Sequence, residues 1–87
     1  ASRLPPEETI TSEKLRMIES AEELLHTISP WVRVRCHGDI ARIEVPPDVF
    51  AAVLEQRERI ATRLIALGFR YVTLDLLGFR HGSMHPR

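Results

Sequence analysis

The sequence has one cysteine, one lysine and no excess of either charge. Cys36 is the only cysteine among 87 residues, so no internal disulfide can form, a usage that fits a reducing, cytoplasmic setting. Twelve basic and twelve acidic side chains cancel. Bulk charge therefore gives no support to a nucleic-acid or membrane-surface role. No apolar run approaches the length of a bilayer span, and nothing resembles a targeting peptide. The chain has no Gly-x-x-x-x-Gly-Lys run, no Ser-Gly-Gly-x-Asp-Ser loop, no zinc-spaced cysteine pair and no nucleophile triad. No catalytic residue, resident cofactor or metal site is assigned within it. An initiator Met is also lacking: Ala1-Ser2-Arg3-Leu4-Pro5 leads through a polar loop toward a helix, as expected at a seam inside a longer protein.

What remains is enough for one small packed domain. Hydrophobic residues make up 44% of the chain, which suits a globule rather than a disordered segment. Eleven of the twelve basic residues are arginine, Lys14 being the exception. The guanidinium fork suits carboxylate and phosphate partners, although codon bias alone yields the same count.

Three domain segments are expected: a seam over 1–11, an α+β domain over 12–76 and a tail loop over 77–87. Thr11 or Ser12 can cap a first helix. Leu15, Ile18, Ala21, Leu24, Leu25 and Ile28 then recur at three- and four-residue spacing, predicting an amphipathic helix from about 12 to 29. From Val32 the period changes to two, with a turn at His37-Gly38-Asp39, which predicts a hairpin over 31–45. Pro46-Pro47-Asp48 opens a second helix whose stripe is Phe50, Val53, Leu54, Ile60, Ala61, Leu64 and Ile65, stopped by Gly68. Phe69–Leu76 reads as a third strand with Val72, Leu74 and Leu76 inward. The expected fold is helix-strand-strand-helix-strand, an antiparallel three-stranded sheet with both helices on one face, a truncated ferredoxin-like α+β domain.

Alternation then puts Arg33, Arg35, His37, Arg42, Glu44, Tyr71, Thr73 and Asp75 on the opposite, open face. Three arginines beside carboxylates can grip a phosphate or carboxylate ligand. The same residues can equally be a solvated face with cross-strand pairs, or a docking surface for the rest of a parent chain. Cys36 alternates with Val32 and Val34 and is expected in the core as an inert thiol. His81 and His85 are four apart, but Gly82 and Pro86 interrupt that stretch and no third ligand is near. His26 lies at the apolar edge of the first helix and is expected to be packed or half-exposed.

Several segments, taken in order, resemble one family. Ala1-Ser2-Arg3-Leu4-Pro5 and Ile10-Thr11-Ser12-Glu13-Lys14-Leu15 are similar to the seam that follows the ATP-binding half of the LarE family. Val32-Arg33-Val34-Arg35-Cys36-His37-Gly38-Asp39 and Ala41-Arg42-Ile43-Glu44-Val45-Pro46 resemble its hairpin. Leu67–Leu76, Gly78-Phe79-Arg80 and Gly82-Ser83-Met84 resemble its carboxyl end.

The resemblance implies an ATP-dependent sulfur transferase of the PP-loop pyrophosphatase, or adenine nucleotide alpha hydrolase-like, superfamily. In that family ATP adenylylates a carboxylate of a pyridinium mononucleotide, releasing pyrophosphate. A protein cysteine attacks the acyl group. Cleavage of its carbon–sulfur bond leaves sulfur on the substrate and dehydroalanine on the protein. The product serves a nickel-pincer cofactor. By this resemblance the phosphate loop and the donor cysteine lie before Ala1, in an amino-terminal PP-loop domain, and Cys36 does not occupy the donor position. ATP and Mg are expected for that parent, together with homo-oligomeric assembly. Ser2 and Arg3 match the family's substrate-phosphate segment, Arg33, Arg35 and Glu44 match hairpin positions at the substrate, and Glu22 matches an acid on the preceding helix. The other class of function is a stand-alone binding or oligomerisation module without chemistry. No nucleic-acid or membrane partner is expected, since Tyr71 is the only outward aromatic on the sheet.

Overall fold

In the computed structural model, which describes residues 11–79, the first helix starts where its cap predicts. Thr11 Oγ1 accepts the Lys14 N–H at 3.1 Å and opens α1 (Ser12–Leu25). Its buried face is Ala21, Leu24 and Leu25, with Met17 and Ile18 packed alongside. The helix ends earlier than its periodicity suggests, and Leu15, expected in the stripe, is about half exposed. A turn follows in which Thr27 Oγ1 donates to the Leu24 carbonyl at 2.7 Å. Buried Ser29 then closes the corner. Its hydroxyl donates to the Trp31 carbonyl at 2.9 Å and accepts the Trp31 N–H at 3.1 Å.

The hairpin forms as alternation predicts. β1 (Arg33–His37) pairs antiparallel with β2 (Ile40–Glu44), in register from Arg33 opposite Glu44 to His37 opposite Ile40. Gly38, at φ 60°, takes the first of the two turn positions. Positive φ there matches the twist of the flanking strands, and only glycine adopts it without strain.

The second helical segment is divided. A 3-10 turn (Pro47–Val49) leads into α2 (Phe50–Glu55), and α3 (Arg57–Leu67) follows a break at Gln56. Gln56 shares its N–H between the Ala52 and Val53 carbonyls, at 3.3 and 3.1 Å. The break falls in a polar run between the buried Val53 and Ile60, where no core contact requires the helix to stay continuous. Leu54 and Ile65, expected in the stripe, are more than half exposed. Gly68 ends α3 at φ 124°.

β3 (Tyr71–Leu74) pairs with β2, from Ile40 opposite Tyr71 to Ile43 opposite Leu74. This pairing is parallel, which corrects the all-antiparallel expectation. The reason is the connection: the helices after β2 carry the chain back along the sheet, so β3 sets out from the same end as β2. In a split βαβ unit two such strands flank a third. Here they bond directly, in the order β1-β2-β3. The α+β class and the order of elements are those expected.

Val34, Cys36, Ala41 and Ile43 turn one face of the sheet toward Leu25, Ile60 and Leu64, with Val45 and Phe69 closing the core. α1 packs on β1 and α3, and α3 on β3. Each large side chain buried this way stabilises by about 1.5–3 kcal/mol before entropy is counted. Leu76 is a second correction: it is 79% exposed, because the strand has already ended in a turn. Among the described residues no helix is long and apolar enough to cross a membrane.

Candidate functional site

The register puts Arg33, Arg35 and His37 of β1, Arg42 and Glu44 of β2, and Tyr71 and Thr73 of β3 on the face away from the helices. Arg33 stands opposite Glu44, Arg35 opposite Arg42, and Arg42 opposite Thr73. Ile40, opposite both His37 and Tyr71, joins this face and had not been expected there.

Glu44 organises the centre. Its Oε2 lies 3.2 Å from Arg42 Nη2 and 3.6 Å from Arg35 Nε, and its side chain is only 12% exposed. Arg42 also reaches Asp75, Nε to Oδ2 at 3.7 Å. Two like charges directly opposite each other, Arg35 and Arg42, would repel across the strands. One carboxylate between them removes that penalty and fixes both forks. These contacts suit a carboxylate that orients the two arginines better than one that competes with them for ligand. Three guanidinium groups face two carboxylates, so one positive charge is in excess. His37 Nε2 and Arg42 Nε are buried and have no hydrogen-bond partner among the described residues. Either is a group that an oxygen ligand or a water would satisfy.

Arg33 differs from its neighbours. Among the described residues it pairs with no carboxylate, and its guanidinium carbon sits 5.5 Å from the centroid of the Phe79 ring. Phe79 in turn stacks on Trp31, centroids 6.1 Å apart and planes 24° apart. Local chain geometry delivers that ring. Asp75 continues the sheet by donating its N–H to the Ile43 carbonyl at 2.9 Å, and its Oδ1 then accepts the Leu77 N–H at 2.9 Å. Gly78 follows at φ 83°, so close that an added Cβ would lie 3.1 Å from Pro47. The Phe79 N–H then donates to the Val45 carbonyl at 2.8 Å.

Neither Trp31 nor Phe79 carried a sequence signal as a site residue. Their contact spans 48 positions and has no periodicity.

The other expected site residues fall elsewhere. Glu22 lies on α1, where its Oε2 accepts the Val34 N–H at 2.9 Å. Val34 faces Ile43, and that N–H points out from the free edge of β1. The structure thus brings Arg33, Arg35 and Glu44 together and leaves Glu22 at the sheet edge. Ser2 and Arg3 lie outside the described residues, as do His81 and His85. Cys36 is buried as alternation predicts, its Sγ 3.4 Å from the Gly38 carbonyl. His26 is exposed, with Nδ1 3.3 Å from the Ser29 carbonyl. Among the described residues no group of three or more His, Cys, Asp or Glu is placed to hold a metal ion.

No protein-family model matches the chain. Over 86 residues, 98% of its length, it is 45% identical to the pyridinium-3,5-bisthiocarboxylic acid mononucleotide synthase of Lactiplantibacillus plantarum. It is also 36% identical over 88 residues to an uncharacterized protein of Synechocystis. Those matches cover 31% and 33% of the respective proteins, so the chain spans about a third of the length of the curated relatives it matches. Along nearly all of its own length, then, this chain is similar to a piece of a mononucleotide synthase.

Proposed function

We propose that these residues are the carboxyl-terminal, substrate-binding and subunit-packing part of an ATP-dependent sulfur transferase in nickel-pincer cofactor synthesis. The substrate is a pyridinium mononucleotide whose carboxylate is adenylylated and then receives sulfur. The observation that carries this reading is the 45% identity over 98% of the chain to a pyridinium mononucleotide synthase. The arginine face supports it, because guanidinium groups bind phosphate and carboxylate oxygens bidentately.

In this reading the residues described here bind and orient. Arg33 and Arg35 take the substrate's phosphate or pyridine carboxylate, and Glu44 holds the Arg35 and Arg42 forks in place. Activation and sulfur donation belong to a PP-loop domain of a longer, cytoplasmic, homo-oligomeric protein, with Ser2 and Arg3 at the junction. ATP supplies the adenylyl group there. The magnesium expected with ATP belongs to that same PP-loop domain.

The competing reading is a stand-alone binding or oligomerisation module. An antibody raised to this chain and used on extracts of the source cells separates the two. A band well above 10.0 kDa is expected. A band at the chain's own size means that no ATP domain accompanies it, and the module reading then holds.

A further inference from the structure

We propose that Phe79, backed by Trp31, is a positioning residue that holds the Arg33 guanidinium as the anion-receiving group of the platform. This rests on the substrate reading above and goes further, by dividing roles among arginines that the sequence made equivalent.

The division follows from what each guanidinium already touches. Arg35 and Arg42 share Glu44, and Arg42 also meets Asp75. An incoming phosphate would have to displace or outcompete those carboxylates. Among the described residues Arg33 meets no carboxylate but the face of an aromatic ring, 5.5 Å away. A ring face attracts the cation through its quadrupole, yet it brings no negative charge and occupies none of the N–H donors. The fork is thus restrained on one side while its donors remain available for a dianion. A long exposed arginine would otherwise lose much of its freedom on binding, and prior restraint lessens that loss.

The ring is itself held firmly. Trp31 stacks against it, and Trp31 is fixed by both of its backbone contacts to the Ser29 hydroxyl. The Phe79 backbone is tied to Val45, the neighbour of Glu44, which faces Arg33 across the hairpin. Two segments far apart in sequence therefore converge on one guanidinium.

The test is calorimetric titration of the 87-residue chain with nicotinic acid mononucleotide, a pyridinium carboxylate that carries one phosphate. Phe79→Leu should weaken binding on the order of fivefold. Phe79→Tyr, which keeps the ring, should bind within about twofold of the native chain. In an Arg33→Ala background the Phe79→Leu change should have no further effect. Unchanged binding in Phe79→Leu, or an equal loss in the Arg33→Ala background, would overturn the proposal.

A second readout works even without probe binding. The Arg33 side-chain NMR signals should show a ring-current shift that disappears in Phe79→Leu and persists in Phe79→Tyr. Signals indifferent to Phe79→Leu would overturn the positioning role. Should the native chain ignore the probe while those shifts behave as expected, the positioning stands and the choice of substrate falls.

Discussion

Replacing Glu44 with Gln removes one negative charge from the centre of the platform and leaves its shape intact. In the native chain Oε2 serves Arg42 at 3.2 Å and Arg35 at 3.6 Å, from a side chain that is 12% exposed. A hydrogen bond to an ionised partner is worth about 1 kcal/mol more than a neutral one. The two ion pairs themselves involve arginines more than a third exposed, so each adds only a few tenths of a kcal/mol after screening. Arg35 and Arg42 are also left facing each other with only Asp75, on Arg42, to compensate among the described residues. Together these place the destabilisation of Glu44→Gln at about 1 to 2 kcal/mol. With a urea slope of about 1 kcal/mol per molar for a chain this small, the midpoint should fall by about 1 to 2 M. Raising the salt concentration should narrow the gap between variant and native protein, because the exposed arginine ends are screened. A midpoint unchanged at native slope would refute the argument that Glu44 is the organising carboxylate.

Other expectations follow from single contacts. Glu22→Gln should keep an acceptor for the Val34 N–H and remain near native stability, whereas Glu22→Ala should lose about 1 kcal/mol, with faster hydrogen exchange at the Val34 amide. Gly78→Ala forces a Cβ to 3.1 Å from Pro47 at a positive φ, and thermal melting should show a loss of about 1 kcal/mol or more. Leu25→Ala, at a fully buried site, should lose about 2–5 kcal/mol in urea unfolding, a large fraction of what so small a domain has.

The features legible in the sequence are those set by local pattern. Val32–His37 and Ala41–Val45 alternate on either side of a Gly-Asp turn, and parity alone put Arg33, Arg35 and Glu44 on one face, because a one-residue slip would have exposed Val34, Cys36 and Ile43. The direction of β3 was not legible in the same way. Strand pattern fixes which side chains face in, but the connection decides which neighbour the strand meets and from which end. Leu76 continued the alternation and still lies exposed, since the Asp75 side chain captured the Leu77 N–H and turned the chain. The helix break at Gln56 has neither proline nor glycine to announce it. Glu22 was singled out only through the family resemblance, and its contact with Val34, 12 residues away, gives it a structural role that no local pattern announces. The Trp31–Phe79–Arg33 contact was hidden for the same reason: nothing local links Phe79 to Trp31 or Arg33.

The most direct test of the central claim is sulfur transfer by the full-length protein that contains these residues. Mass spectrometry would follow the conversion of a pyridinium mononucleotide carboxylate to its thiocarboxylate in the presence of ATP. The native protein should make the product. The Arg33→Ala, Arg35→Ala double variant should make none while melting near the native temperature. Equal turnover by the two proteins would contradict the assignment of this face to the substrate.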